Sequence, residues 1–312
     1  MTVDKFVIVT PVYEDKASAR RLFKELAAQF GERIYVVAVD DGSVHEPVDS
    51  SWLGEAGAQG CVLTLGQNVG HQKAIAIGIC YAAENFPDMP VLTIDSDGED
   101  MPETIHNLIN VLDDKTDVVV AKRMKRVETA KFKIFYAIYK MVFKLLTGRT
   151  IDFGNFAFYS PLAIARLSKM AQLWIHIAGT VLSSRIRIKY VPLDRGPRYA
   201  GKSKMNFVAL VLHGFRGLMV FAEDVLVRVG IICFGTIVLT VAGVVIAVFL
   251  KLIGLATPGW FSVVIGVFFL ILLQTGFMTL ITLLLTGVMK GVLSTSPDYR
   301  YFIKRINHVE NS

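Results

Sequence analysis

Two long uncharged stretches near the carboxyl end constrain the fold of this chain more than any other feature. Residues 229–250 form a run of 22 without a charged side chain, and residues 252–289 form a second run of 38. A helix of about 20 apolar residues can cross a hydrocarbon layer roughly 30 Å thick. Because Pro258 and Gly259 interrupt the second run, the pattern predicts a two-helix membrane hairpin over about 228–250 and 261–289. A buried helical core is the alternative, but its helices would need polar faces wherever they meet water.

The charges that flank this hairpin predict its orientation. Arg228 precedes the first span, and the loop between the spans offers only Lys251. The second span is followed by Lys290, Arg300, Lys304 and Arg305. Since cations accumulate on the cytoplasmic side, we expect a two-span protein of an inner or plasma membrane with both termini and the large amino-terminal domain in the cytoplasm. No signal-peptide pattern precedes that domain.

The net charge of +6 is better explained by a lipid surface than by nucleic acid. The basic residues cluster just before the membrane, and the chain has no zinc-finger, homeodomain or RNA-recognition motif. Cys61, Cys80 and Cys233 lie in apolar segments at unrelated spacing. We expect buried thiols in a reducing compartment, without a disulfide or metal framework.

Strand and helix patterns alternate along the first part of the chain. Short β-branched runs at 6–10, 34–39, 61–65, 91–94 and 118–121 predict strands, and helical periodicity occurs at 17–30, 71–84 and 102–112. This alternation predicts an α/β domain with a mainly parallel, Rossmann-like sheet, whose ligands bind beyond the carboxyl ends of the strands. The five strand ends carry Tyr13 and Glu14, Asp40 and Asp41, Asn68, Asp95 and Asp97, and Lys122 and Arg123. This set suits one diphosphate-sugar ligand.

The acidic run DSDGED, residues 95–100, follows the fourth predicted strand. Asp95 and Asp97 offer only oxygen ligands, which suit Mg²⁺ or Mn²⁺ completed by waters and a substrate diphosphate. A solvated acidic turn is the alternative.

Three other turns carry polar groups, each with a structural alternative. Glu14 of PVYED can accept from ribose hydroxyls or belong to an ordinary turn. Asp41 of DDGS can accept from a uracil or guanine N–H, or Asp41 and Ser43 can cap a helix. The segment QNVGHQKA begins a helix whose free N–H groups favour phosphate, and there Lys73 and His71 add charge or are merely solvated. The chain has neither a G-x-G-x-x-G nor a Walker A motif, which counts against NAD and P-loop functions.

Two segments and one loop precede the predicted hairpin. Residues 131–146 carry three lysines on one helical stripe and apolar side chains elsewhere, as in a helix lying in the membrane interface. Packing on a neighbouring element or on a second subunit of a homo-oligomer explains this pattern equally well. Residues 205–227 form the second candidate helix. The basic loop RYAGKSK contributes Arg198, Lys202, Ser203 and Lys204, and it can close over a diphosphate, be attracted to anionic lipid, or do both.

These motifs together carry a resemblance. PVYED, DDGS, the spacing of Asn68, Gly70 and Ala74, DSDGED and RYAGKSK occur in the order seen in inverting GT-A glycosyltransferases. The chain most resembles the polyprenyl-phosphate glycosyltransferases, a group that includes dolichyl-phosphate mannose synthase and GtrB-like enzymes. The likeness covers about residues 5–206 and extends to the hairpin. It implies a cytosolic GT-A domain at 1–204, an interfacial helix at 205–227, a transmembrane hairpin at 228–290 and a cytosolic tail at 291–312.

The resemblance also implies roles in donor binding. Asp41, with Asp40, would read the base, and Glu14 and Pro11 would lie beside the ribose. Asp95 and Asp97 would engage the metal and the donor diphosphate. Glu99 would be a further metal ligand, at a position where the family usually has Gln.

The remaining implied roles concern transfer itself. Arg123 matches an Arg that follows the fifth strand in the family, although Lys122 replaces the usual Ser. Asp152 matches an Asp near the acceptor or sugar, although Asn155 and Phe156 replace a Gly-Phe pair. Because a polyprenyl phosphate is largely ionised at neutral pH, Asp152 is expected to orient substrate, with general-base catalysis as the lesser option. The implied catalytic set is Asp152, Arg123, Arg198 and Lys202.

The sequence therefore predicts a metal-dependent, inverting transferase that moves a sugar from a UDP- or GDP-linked donor to a polyprenyl phosphate. Three other functions stay open. A glycolipid synthase would use a neutral lipid hydroxyl, and a non-catalytic scaffold would only sense nucleotide sugar. A processive polysaccharide synthase is disfavoured because two spans are few for a polymer channel and because the Gln-x-x-Arg-Trp signature of that group is missing.

Overall fold

The structure, a computed structural model, describes residues 3–123, 130–200, 207–292 and 296–309. The chain forms two compact units. The first comprises Met1–Tyr139, Thr150–Val220 and Ser296–Ser312, and the second comprises Lys140–Arg149 and Phe221–Thr295. The first unit contains every strand that the described residues form.

The strands are β1 (Phe6–Val12), β2 (Ile34–Asp40), β3 (Gln59–Leu65), β4 (Val91–Thr93), β5 (Val118–Arg123), β6 (Phe153–Tyr159), β7 (Ile188–Leu193) and β8 (Ile303–His308). The helices are α1 (Lys16–Phe30), α2 (Ser51–Ala56), α3 (His71–Asn85), α4 (Ile105–Ile109), α5 (Ala130–Thr147), α6 (Pro161–Leu167), α7 (Ile177–Ser183), α8 (Phe207–Val220), α9 (Ala222–Leu252) and α10 (Trp260–Val292). The five predicted strands are thus confirmed as β1 to β5. The predicted helices at 17–30 and 71–84 are confirmed as α1 and α3, whereas 102–112 contains a 3₁₀ turn and the short α4.

The eight strands form one sheet in the order β7-β5-β6-β4-β1-β2-β3-β8. Strands β4, β1, β2 and β3 are parallel neighbours, and β5 is parallel to β7. Strand β6 runs antiparallel between β4 and β5, and β8 runs antiparallel to β3 at the sheet edge. The predicted mainly parallel α/β fold is therefore confirmed, with two antiparallel strands that the sequence patterns did not predict.

Apolar side chains cover both faces of this sheet. In β1, Phe6 and Ile8 belong to the core on the side of α1, α2 and α4, whereas Val7 and Val9 belong to the core on the side of α3, α6 and α7. This alternation is the two-residue period of a strand. Since both faces are buried, the parallel strands read as nearly continuous apolar runs, which is why the sequence located them.

The last strand returns to the sheet after the two long helices. A 3₁₀ turn at Tyr299–Phe302 leads into β8, whose residues pair with Cys61 to Leu65 of β3. The Tyr299 hydroxyl donates to Glu84 on α3 at 2.6 Å. The first unit is therefore built from both ends of the chain.

The second unit contains the two long apolar helices, α9 and α10, packed on each other. A Cβ atom at Gly243 of α9 would lie 2.5 Å from the Phe268 ring of α10, so this glycine permits the close approach. At the start of α9, the Arg228 guanidinium donates to the carbonyl of Leu145 at the end of α5, at 2.9 Å.

Both helices have the length and composition to cross a membrane. In the most apolar 18-residue windows, 17% of α9 and none of α10 is buried, which is unlike the core helix of a soluble protein. Helix α9 begins at Ala222, before the predicted start near 228, and the segment predicted as one helix at 205–227 is divided between α8 and α9.

Candidate functional site

The polar residues predicted at the strand ends converge on one edge of the sheet. The parallel strands β1 to β4 bring their carboxyl ends there. Because β6 is antiparallel to β4 and β5, its first residues lie at the same edge, with Phe153 opposite Lys122. Asp152 and the segment after β4 therefore share this edge with the end of β5.

Glu14, predicted beside the ribose, holds the loop that follows β2. Its carboxylate accepts the backbone N–H groups of Val44 at 2.6 Å, His45 at 3.0 Å and Glu46 at 2.8 Å. These hydrogen bonds, the His45 bond foremost, lower the pKa of Glu14 below its usual range. Glu14 also adopts a left-handed φ of 46°. Its observed contacts are those of a residue that shapes the loop.

Asp40 is fully buried and has a similar structural role. Its two carboxylate oxygens accept the N–H groups of Ser43 and Val48, each at 3.0 Å. Pro11 is also buried, within β1, whereas the Tyr13 side chain is 42% exposed. Of these predicted donor-binding residues, Tyr13 presents the most surface to a ligand.

Asp41 ties the end of β2 to the start of α3. Its carboxylate accepts the N–H groups of Val69 at 2.7 Å and Gly70 at 3.0 Å, and only 3% of the residue is exposed. Burial raises the pKa of this carboxyl despite the two hydrogen bonds. Asn68 and Lys73, which flank this contact, are exposed. A ligand at this edge would therefore meet Asn68 and Lys73 before it met Asp41.

The acidic turn, residues 95–100, faces two arginines that follow β7. Asp97 Oδ2 lies 2.8 Å from Arg198 Nη2, and Glu99 Oε1 lies 3.6 Å from Arg198 Nε. The other oxygen of Glu99 forms an ion pair with Arg195. Burial and then the charge of Asp95 raise the pKa of Asp97. Two guanidinium groups thus offset part of the negative charge of this turn.

Backbone contacts fix the arginine segment, residues 195–199, against the acidic turn. The N–H of Gly196 donates to the carbonyl of Glu99 at 2.9 Å, and the N–H of Tyr199 donates to the carbonyl of Asp97 at 2.8 Å. Gly98 has a φ of 82°, and a Cβ atom there would lie 2.5 Å from the Tyr199 ring. Only glycine suits this position, where the turn is left-handed and the ring is in contact.

A chain of polar contacts links the acidic turn to α3, β6 and α7. The N–H of Ile177 donates to Gln72 Oε1 at 2.9 Å, and Gln72 Nε2 donates to Asn155 Oδ1 at 2.9 Å. The Asn155 amide nitrogen lies 3.0 Å from His71 Nε2, which is itself 3.2 Å from Asp95 Oδ1. Because a backbone N–H can only donate, the first contact fixes the orientation of both amides.

The imidazole of His71 lies at one end of this series of polar contacts, near the carboxylates of Asp95, Asp97 and Asp41. Removal from water by itself lowers its pKa, but the nearby charges of Asp95, Asp97 and Asp41 outweigh that effect and raise the pKa above the ordinary value. The Asn155 amide nitrogen can donate to Nε2 only when that nitrogen carries no proton, so this hydrogen bond favours the neutral imidazole while the neighbouring carboxylates favour the protonated one.

The predicted transfer residues are described in part. Asp152 immediately precedes β6, and Tyr190 of β7 lies near enough that its pKa is raised by burial and then by the Asp152 charge. Arg123 ends β5, and its side chain lies outside what the structure describes. Lys202 and Ser203 also lie outside the described residues.

The acidic turn has the donor chemistry that Mg²⁺ and Mn²⁺ prefer, namely carboxylate oxygens without sulfur ligands. Asp95 and Asp97 fit two positions of such a cation, which usually completes its shell with waters and substrate phosphates. Glu99 fits less well because both of its oxygens face arginines. Within 3–123, 130–200, 207–292 and 296–309, no three His, Cys, Asp or Glu side chains form a group that could hold a metal ion.

Comparison with protein families identifies the chain. The model of glycosyl transferase family 2 matches residues 7–174, which run from the second residue of β1 through β6 and include the acidic turn. The chain belongs to this family. This glycosyltransferase thus has nearly all of its first six strands, and its acidic turn, within the region that matches the family.

Relatives and a solved structure agree with this membership. An uncharacterized glycosyltransferase of Synechocystis sp. is 25% identical over 287 residues, covering 86% of each chain. The undecaprenyl-phosphate 4-deoxy-4-formamido-L-arabinose transferase of Enterobacter sp. is 25% identical over 318 residues, covering 97% of this chain and 94% of its own. Glucosyl-3-phosphoglycerate synthase of Mycobacterium tuberculosis, solved with Mn²⁺, UDP-glucose and phosphoglyceric acid, has a TM-score of 0.53 at 14% identity, covering 71% of this chain and 80% of its own. The GT-A-like fold expected from the sequence is confirmed.

The structure adds residues to the site that the sequence analysis did not single out. Arg195 and Tyr199 flank the predicted Arg198, and Gln72 and Asn155 connect His71 to the interior. Arg195 lies three residues before Arg198, in the run DRGPRYAGKSK. That run of cations was the available signal for Arg195, whereas the role of Gln72 depends on partners far away in the sequence.

Proposed function

We propose that this glycosyltransferase moves a sugar from a nucleotide-diphosphate sugar to a polyprenyl phosphate, with inversion, at the cytoplasmic surface of a membrane. One observation carries the proposal. The Enterobacter relative, whose name specifies undecaprenyl phosphate, aligns with 97% of this chain, so the likeness extends through both α9 and α10. A relative similar only in the sheet unit would support a sugar donor but not a lipid acceptor.

The donor would bind at the carboxyl edge of the sheet. Asp95 and Asp97 would hold Mg²⁺ or Mn²⁺, which supplies positive charge to the departing diphosphate when it is bound. Support comes from the oxygen-only donor set of the turn and from the Mn²⁺ and UDP-glucose in the structurally similar mycobacterial enzyme. Arg198, already beside Asp97, would neutralise further charge on the leaving group.

The acceptor needs little activation by the protein. A phosphomonoester carries between 1.5 and 2 negative charges near pH 7, roughly, so an acceptor oxygen is already nucleophilic. Asp152 would orient the sugar or the acceptor rather than remove a proton. Arg123, Lys202 and Ser203 would contribute to phosphate binding.

The connectivity of the chain supports one orientation in the membrane. The chain leaves the sheet unit after Val220 and rejoins it by Ser296, and β8 then pairs with β3. Both ends of the α9–α10 segment are thus attached to one folded unit, so the segment must cross a bilayer an even number of times. Since the cations lie at those two ends, the sheet unit and both termini are proposed to be cytoplasmic.

The test is a transfer assay with the full chain in detergent or vesicles. Purified protein is incubated with Mg²⁺ or Mn²⁺, undecaprenyl phosphate and a panel of radiolabelled UDP- and GDP-sugars, and the lipid is extracted. We expect label in the organic phase with one donor class, dependent on the cation and lost in Asp97→Asn. Label that enters only diacylglycerol, or no label with any donor, would refute the proposal.

Asp152 distinguishes the two lipid acceptors. If the acceptor is a phosphate, Asp152→Asn should reduce transfer without abolishing it, and the pH profile should keep its shape. A neutral hydroxyl acceptor would need a true base, so the same substitution would then abolish transfer. Asp88→Asn, at an exposed position, is the control for the change of charge.

A further inference from the structure

Glu99 has a different environment from the other acids of the turn. One of its oxygens is paired with Arg195, and the other lies 3.6 Å from Arg198. Its carbonyl also accepts the N–H of Gly196. All of these partners belong to the arginine segment, so Glu99 connects the acidic turn to that segment through both its side chain and its backbone.

These contacts compete with metal binding. A carboxylate that faces two guanidinium groups would have to break at least one ion pair before it could bind a cation, and its side chain is only 24% exposed. Arg forms directional, paired hydrogen bonds with carboxylates, so such contacts fix orientation as well as charge. Within the part of the chain that the structure describes, Asp97 forms an ion pair with one arginine, Arg198, whereas Glu99 faces two.

We propose that Glu99 is a positioning residue for Arg198 and not a third metal ligand. Glu99 holds Arg195 and Arg198 in place, and the arginine segment in turn keeps the Arg198 guanidinium beside Asp97. This role rests on the proposed function. In that reaction, the Arg198 guanidinium faces the charge that develops on the donor diphosphate. The carboxylate is useful here because two cationic partners must be held, which a neutral amide would do less firmly.

The first test measures metal binding without turnover. Free Mn²⁺ is quantified by electron paramagnetic resonance in the presence of UDP or GDP, for the full chain and its variants. We expect Asp97→Asn to weaken Mn²⁺ binding at least ~10-fold, and Glu99→Gln to change it less than ~3-fold. If Glu99→Gln weakens binding as much as Asp97→Asn, the proposal is wrong.

The second test measures coupling between Glu99 and its partner. Glu99→Gln and Arg195→Gln should each lower kcat about 10-fold, and the double variant should be no slower than either single one, since both remove the same support. Independent effects would multiply to roughly 100-fold, and that result, or unchanged kcat in both, would overturn the proposal. Glu55→Gln, which breaks a comparable Glu–Arg pair between α1 and α2, is the matched control and should leave kcat unchanged.

Failure of the proposed function would be recognised separately. If wild-type protein transfers no sugar to any lipid, hydrogen exchange at the N–H groups of Gly196 and Tyr199 replaces kcat as the readout. Glu99→Gln and Arg195→Gln should then accelerate exchange at these two amides equally, and Glu55→Gln should not. Unaltered exchange in the first two variants would overturn the positioning role by itself.

Discussion

The contacts of Asp41 allow a sharp prediction, because a base-reading residue and a structural one respond differently to Asp41→Asn. The substitution keeps the shape of the side chain but replaces one acceptor oxygen with an NH₂ group. If the remaining oxygen stays with Val69, the N–H of Gly70 faces another donor. At 3% exposure, water cannot readily replace the lost bond.

The expected change in the free energy of unfolding is the balance of two opposing effects. Losing a hydrogen bond to a charged acceptor and leaving a buried N–H without a partner costs about 2–3 kcal/mol. The substitution also removes a charge that is unfavourable when buried, as the raised pKa of Asp41 indicates. Part of the lost free energy of unfolding is therefore regained. We expect a net loss of about 1–2 kcal/mol, which corresponds to a fall in melting temperature of about 2–8 °C for a domain of this size.

The assay is thermal unfolding in detergent, followed by intrinsic fluorescence, together with the KM for the nucleotide sugar. Asp88→Asn provides the control and should shift the melting temperature by less than about 1 °C, as expected for an exposed site. A structural role for Asp41 is refuted if Asp41→Asn melts like the wild type while its KM for the donor rises more than about 10-fold. Asp41 would then contact the base, and its two backbone bonds would be dispensable.

Three further substitutions test other parts of the structure. Gln72→Leu should lower the free energy of unfolding by about 1–3 kcal/mol in a urea titration, because it leaves a buried backbone N–H without its acceptor. Gly98→Ala should lower both the melting temperature and the transfer rate more than Gly57→Ala does, since both glycines have positive φ but only a Cβ at position 98 would meet the Tyr199 ring. The Lys189 ammonium of β7 lowers the pKa of Asp113 from 3.8 to about 2. The stability that this pair adds is therefore complete above about pH 4 and is lost as the pH falls through about 2. Asp113→Asn should therefore lower the melting temperature slightly near neutral pH and converge with the wild type as the pH falls through about 2, so that the melting temperature of the variant depends less on pH in the acid range.

The sequence predicted the elements whose signal is local. Strands β1 to β5 are short runs of mainly apolar and β-branched residues, as is typical of buried parallel strands. Strand β6, FGNFAFY, was missed because it contains glycine, asparagine and no β-branched residue. Strand β8, IKRINH, was missed because it is mostly exposed and polar, and only its pairing with β3 stabilises it.

In the candidate site, too, some features have a local signal in the sequence and others depend on contacts between distant residues. Its position at the carboxyl edge follows from parallel topology, so the acids at the strand ends could be located from the sequence. What the sequence could not reveal is which acids are already engaged. Whether Asp41 faces a ligand or two backbone N–H groups depends on the path of the chain at Val69 and Gly70, and the pairing of Glu99 with Arg195 joins residues 96 positions apart.

Strand β8 also determines when this enzyme can be complete during its synthesis. It is translated after α9 and α10, yet it pairs with β3, made more than two hundred residues earlier. Until then, β3 is an open edge that can pair with another chain. The ribosome therefore finishes both apolar helices before the sheet can close. If these helices span a membrane, as proposed, their insertion precedes the final step of folding. Any delay in insertion would prolong the exposure of β3, so aggregation of this protein should depend on membrane targeting as much as on the stability of the finished sheet.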